Sequence, residues 1–213
     1  MEEIAFLCKH YAAEYIALCK PNPVSAGSRT ATWERPSQGW VKVNSDGAFS
    51  ENTGEGGWGV VIRDEEGEVV EAAAGKLTRL MDAFQSEVEA CLAGVMLVGE
   101  RGFGRIVVET DSLVLKQALK TSSHRLAATG GLICEIQNLL ASEFSGFQVD
   151  YAPRSCNKVA HALAAIGCKC SHGAGLRWES TPTLVEDLVA NDPHFIQRCV
   201  HPMLDDDQKQ RSL

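Results

Sequence analysis

The chain has 213 residues, 45% of them hydrophobic and 23% charged, with a formal net charge of −8 and a pI near 5.3. That composition suits a globular protein with a sizeable core. It argues against a strongly basic nucleic-acid binder, while leaving room for a metal-dependent enzyme that meets nucleic acid briefly. Eight cysteines without a CxxC…CxxC framework, a Met-Glu-Glu start with no leader pattern and the lack of a long apolar run predict free thiols. They also predict a cytoplasmic or nuclear protein with no membrane span.

Residues 2–20 have helical periodicity, with Ile4, Leu7, Cys8, Tyr11, Tyr15 and Ile16 apolar or aromatic and mostly three or four apart. Pro21 and Pro23 end that helix, and the Pro, Ser, Gly and Thr of residues 21–39 read as a linker. The helix is thus an appendage whose apolar face calls for a partner, in this chain or in another protein. Residues 40–49, 56–64 and 68–76 read as three strands joined by short hairpin links. The glycines of 54–59 lead into a strand and lack the Lys-Ser/Thr of a phosphate loop, so tight turns and close packing are their expected use.

A helix follows over 82–101, with Phe84, Val88, Cys91, Leu92, Val95 and Val98 in one stripe. Residues 105–109 form a fourth strand, 111–120 and 129–143 two helices, 147–151 a fifth strand and 155–168 a last long helix. The order β-β-β-α-β-α-α-β-α predicts an α/β fold with a five-stranded mixed sheet flanked by helices. Strands 1–3 form an antiparallel meander, and strands 4 and 5 enter by helical crossovers that put strand 4 beside strand 1. The main domain is then 40–170. Residues 171–213 form an extension with one short helix over 183–190 and a fraying polar tail.

Three carboxylates fall at element boundaries. Asp46 lies near the end of strand 1, Glu87 one turn into the 82–101 helix, and Asp111 just after strand 4. Crowded carboxylates repel, and a divalent cation held by hard oxygen ligands, Mg²⁺ or Mn²⁺, relieves that. The plainer readings are an Asp-Gly turn at Asp46, an N-cap at Asp111 and a solvated helix position at Glu87. The run Cys168-Lys-Cys170-Ser-His172, with Cys156 and His161 nearby, lacks the usual zinc spacing and reads as free thiols at a helix end. Trp33, Trp40, Trp58 and Trp178 are candidates for base stacking, with burial the plainer use.

The runs GWVKVNSDGAF, GGWGVVIRD, QSEVEACLAGV, IVVETDS and APRSCNKVAHALA, in that order, resemble the type 1 ribonuclease H family. The similarity is greatest to its plant, retrotransposon-derived group. The resemblance implies the ribonuclease H fold and metal-dependent endonucleolytic hydrolysis of the RNA strand of RNA–DNA hybrids, with Mg²⁺ as cofactor and Mn²⁺ as a substitute. By position it makes Asp46 the bridging ligand and Glu87, rather than its rival Glu89, and Asp111 the other two. The family's fourth carboxylate falls at position 161, where this chain has His161. An imidazole suits Mg²⁺ poorly; His161 is either a Mn²⁺ ligand or base, or a bystander beside a weak second metal site.

Arg154 and Lys158 are the candidate phosphate contacts, and Gly47 the place where backbone approaches RNA. Across 40–170 twelve Lys and Arg face seventeen Asp and Glu, and no basic hybrid-binding helix is visible. The alternative is therefore a catalytically weak nucleic-acid-binding or interaction module that keeps the fold.

Overall fold

The computed structural model describes residues 32–121 and 128–190. The helix expected over 2–20 and the polar tail lie outside these. Strands β1 (Val41–Ser50), β2 (Glu55–Arg63) and β3 (Val69–Leu77) form the antiparallel meander. In the second turn the Asp64 Oδ1 accepts the N–H groups of Glu66 and Glu68, an Asx-type closure. Helix α1 (Ala83–Glu100) follows, N-capped by Asp82, whose carboxylate accepts the Gln85 N–H at 2.7 Å. Next come β4 (Arg105–Thr110), α2 (Leu113–Lys120), α3 (Gly130–Glu143) and β5 (Gly146–Tyr151). A 3₁₀ turn (Arg154–Cys156), α4 (Lys158–Gly167), β6 (Gly175–Trp178) and α5 (Glu186–Ala190) complete the described chain.

The sheet order is β5-β4-β1-β2-β3-β6, with β1, β4 and β5 parallel and the remaining pairs antiparallel. Strand 4 beside strand 1 is what right-handed crossovers demand. One face buries Val41, Val43, Val60 and Ile62 against α1 and, further along, against α2 and α3. The other buries Val61, Ala72 and Ala74 against Val159, Ala160 and Leu163 of α4. The strands are therefore buried almost continuously, with alternate side chains facing opposite helix layers on the two sides of one sheet.

The glycines of β2 set how close α4 comes. A Cβ at Gly59 would lie 2.2 Å from the Ala164 amide nitrogen, and one at Gly57 2.2 Å from that of Cys168. Helix backbone lies directly on strand backbone there, the close packing expected of this segment.

The sequence reading is corrected at two places. The sheet has six strands, not five, because Gly175–Trp178 pairs with β3. This strand is four residues long and carries little apolar signal. Leu176 and Trp178 pack on the Val61, Val159 and Leu163 side of the sheet, and Arg177 Nε donates to the buried Glu71 at 2.7 Å. The helix expected from 155 begins only at Lys158, because Asn157 has non-helical backbone angles and uses its side chain across the sheet end. Residues 32–39, placed in the expected linker, contribute Trp33, which is buried with Ala152 and Cys156 and donates from Nε1 to Asn44 at 3.1 Å. Among the described residues no helix is long and apolar enough to cross a membrane.

Candidate active site

Because β1 and β4 are parallel neighbours, with Asn44 opposite Glu109, their chains reach the same sheet end together. Asp46 is on β1 and 2% exposed; Asp111 follows β4. Ser112, not Asp111, caps α2 by accepting the Leu115 N–H at 3.2 Å, which releases the Asp111 carboxylate from capping. Helix α1 delivers Glu87 from its second turn. Its first turns lie on β1 so closely that a Cβ at Gly47 would sit 2.2 Å from the Ser86 carbonyl carbon. Gly47 therefore serves helix packing, and its N–H bonds to the Glu87 carboxylate.

Asp46, Glu87 and Asp111 each offer an oxygen, and these atoms all lie within 4.8 Å of one another. Among the described residues this is the one group of three or more His, Cys, Asp or Glu side chains close enough to hold a metal ion. The cysteine and histidine run around Cys168 makes no such group. Glu89 points elsewhere, accepting from Gln85 Nε2 at 2.7 Å, so Glu87 is the glutamate of the cluster.

Burial, and then the charges of Asp46 and Asp111, push the Glu87 carboxyl up to about 8. The Gly47 N–H and Arg154 oppose this only in part. Asp111 is also raised, first by burial and then by Asp46, with Arg154 and the Asn157 side chain working against the shift. Glu87 Oε2 is buried without a hydrogen-bond partner. The cationic relief at hand is slight: Arg154 Nε lies 4.0 Å from Asp111 Oδ2 on a side chain that is 75% exposed. An orphaned buried oxygen among three converging hard donors fits a divalent cation of the Mg²⁺ or Mn²⁺ kind.

Helix α4 brings the remaining residues. His161 Nδ1 lies 2.6 Å from Asp46 Oδ2. Asn157 Nδ2 donates to the Ser45 carbonyl at 3.0 Å, and the Asn157 side chain also bonds to Asp111. Asn157 was not singled out from the sequence as a site residue. Its signal was an Asn placed just before a helix of otherwise apolar character, four residues ahead of His161. Arg154 stands at the rim, and Lys158 is exposed at the first position of α4.

A β-meander continued by two parallel strands, with carboxylates on the first strand, the first helix and the end of the fourth strand, defines the ribonuclease H-like class. Solved structures agree on the fold. RNase H1 of Halobacterium salinarum matches with a TM-score of 0.52 and 24% identity, over 60% of this chain and 96% of that one. The N-terminal RNase H domain of a Mycobacterium tuberculosis protein gives 0.55 and 24%, over 61% and 93%. LC11-RNase H1 in complex with an RNA/DNA hybrid gives 0.53 and 20%, over 59% and 94%.

In sequence, residues 44–167 match the family described as "Reverse transcriptase-like", and the chain belongs to that family. An Arabidopsis thaliana protein named "Putative ribonuclease H protein" is 29% identical over 164 residues, 77% of this chain. The chain spans about a quarter of that relative's length, the match covering 26% of it.

Proposed function

We propose that this chain is a metal-dependent endonuclease that hydrolyses the RNA strand of RNA–DNA hybrids. The observation that carries the reading is the convergence of Asp46, Glu87 and Asp111 within 4.8 Å with so little cationic relief. A scaffold gains nothing from such a cluster, whereas a cation site requires it. These three carboxylates would hold Mg²⁺, with Mn²⁺ as a substitute. When bound, the ion would supply Lewis acidity toward the phosphodiester and a more acidic water. The chain's own contribution is placement. Gly47 and Asn157 fix Glu87 and Asp111, His161 orients Asp46, and Arg154 and Lys158 are placed to meet backbone phosphates. The attacking water would displace the 3′ oxygen of the RNA strand. A reducing compartment, cytoplasm or nucleus, suits the free thiols.

A second reading, a nucleic-acid-binding module with little turnover, is favoured by one specific feature. His161 stands against Asp46 where a further carboxylate would strengthen metal binding. Incubating the purified protein with a labelled hybrid in Mg²⁺, and then in Mn²⁺, separates the two. Cleavage of the RNA strand is expected, falling about a hundredfold or more in Asp46→Asn. Absence of cleavage in both metals, with hybrid still bound, would leave only the binding module.

A further inference from the structure

We infer that this site takes a single divalent cation, and that His161 is the positioning residue that excludes a second by occupying one oxygen of Asp46. The inference rests on the divalent-cation part of the proposal above, not on hybrid cleavage. Two ions share a carboxylate most readily with one cation on each of its oxygens. Here Oδ2 receives the His161 imidazole at 2.6 Å, in a pair whose carboxylate is only 3% exposed.

The imidazole is held there by backbone. The His161 N–H donates to the Asn157 carbonyl at 3.0 Å, while the Asn157 side chain is tied to Ser45, the residue before Asp46. The helix behind it lies on Gly57 and Gly59 with no room to shift toward the sheet, and Val159, Ala160 and Leu163 on either side of His161 are buried against it. Displacing the imidazole from Asp46 would break a part-buried contact that this framework holds in register.

The ligand inventory points the same way. The three carboxylates make one oxygen set, and His161 is outside it. A second hard cation on the His161 side would meet a nitrogen, with Lys158 three residues away on the same helix, where oxygen donors are needed. The predicted consequence is a site that polarises the substrate through one ion, with His161 acting through Asp46.

Counting bound ions tests this. Mn²⁺ per chain is measured by titration calorimetry and by electron paramagnetic resonance, with and without a hybrid whose RNA strand is 2′-O-methylated and therefore uncut. The natural chain should bind one Mn²⁺ with the spectrum of an isolated ion. His161→Asp should bind two, with spin–spin broadening, and His161→Asn should remain at one. Two ions on the natural chain, or one on His161→Asp, would overturn the inference. No bound ion at all would overturn it together with the divalent-cation reading. One bound ion with no hybrid cleavage would remove the nuclease reading alone and leave the count standing. If His161→Asp does not fold by circular dichroism, the count on the natural chain still decides.

Discussion

Two buried carboxylate sites in this molecule differ in how their charge is met. Glu71 on β3 is 1% exposed, yet Arg101 Nε and Arg177 Nε each lie 2.7 Å from one of its oxygens. Arg177 also reaches Glu100 at 2.8 Å, so the strand β6, the end of α1 and the sheet share one network. At the other site three carboxylates converge with one exposed guanidinium at 4.0 Å and one imidazole. The Glu71 site is closed and needs nothing from solution. The Asp46 site leaves its charge largely unmet, an arrangement that a divalent cation would relieve.

The comparison is sharpened most by removing charge from the open site. In the folded chain Glu87 titrates near 8 against an ordinary 4.5. The folded state therefore holds this proton more tightly than the unfolded chain. Stability from this group is greatest below pH 4.5 and declines as pH rises to about 8, where the penalty is complete. Asp111, raised by the same burial and by Asp46, adds a loss of the same sign. Glu87→Gln should then stabilise the chain by about 3 kcal/mol at alkaline pH without divalent ions, and flatten the pH dependence. Urea denaturation at pH 5 and pH 8 in chelator reads both effects.

The closed site should respond in the opposite direction. Glu71→Ala strands two guanidiniums and should cost about 3 kcal/mol, the lower end for a broken buried pair because both arginines keep some water. Hydrogen exchange should quicken first in β6. A stabilised Glu71→Ala would break the contrast. Gly59→Ala joins the two regions through α4. Its Cβ meets helix backbone at 2.2 Å, so about 2 kcal/mol should be lost to overpacking. Displacement of α4 should also loosen the His161–Asp46 bond, visible in the imidazole NMR signals. The smallest effect belongs to Arg154→Ala, within about 0.5 kcal/mol in stability. It should nonetheless lower the salt dependence of hybrid binding by about one ion.

Much of this was legible in the sequence because local pattern carried it. The alternation from Val41 to Phe49 and the stripe on α1 gave β1 and the helix above it. The handedness of crossovers then placed Asp111 beside Asp46. The choice of Glu87 over Glu89 came from the family resemblance, and Glu87 is the glutamate found with Asp46 and Asp111. What escaped was long-range and polar. Strand β6 brings Arg177 to Glu71, 106 positions away in sequence, and a charged residue inside the apolar run of β3 was a hint of it. The His161–Asp46 bond spans 115 positions, so neither its existence nor its atoms could be read from spacing. Gly47 was legible as a close-approach position, but not that the α1 backbone at Ser86 approaches it.

The central claim is that Asp46, Glu87 and Asp111 form a cation site, and thermal melting at pH 8 with chelator and then with about 10 mM Mg²⁺ tests it most directly. The account predicts a Tm several degrees higher with the ion in the natural chain, a smaller rise at pH 5, where protons compete for Glu87, and none in Asp46→Asn. An equal Tm with and without the ion, or a rise of the same size in Asp46→Asn, would contradict it.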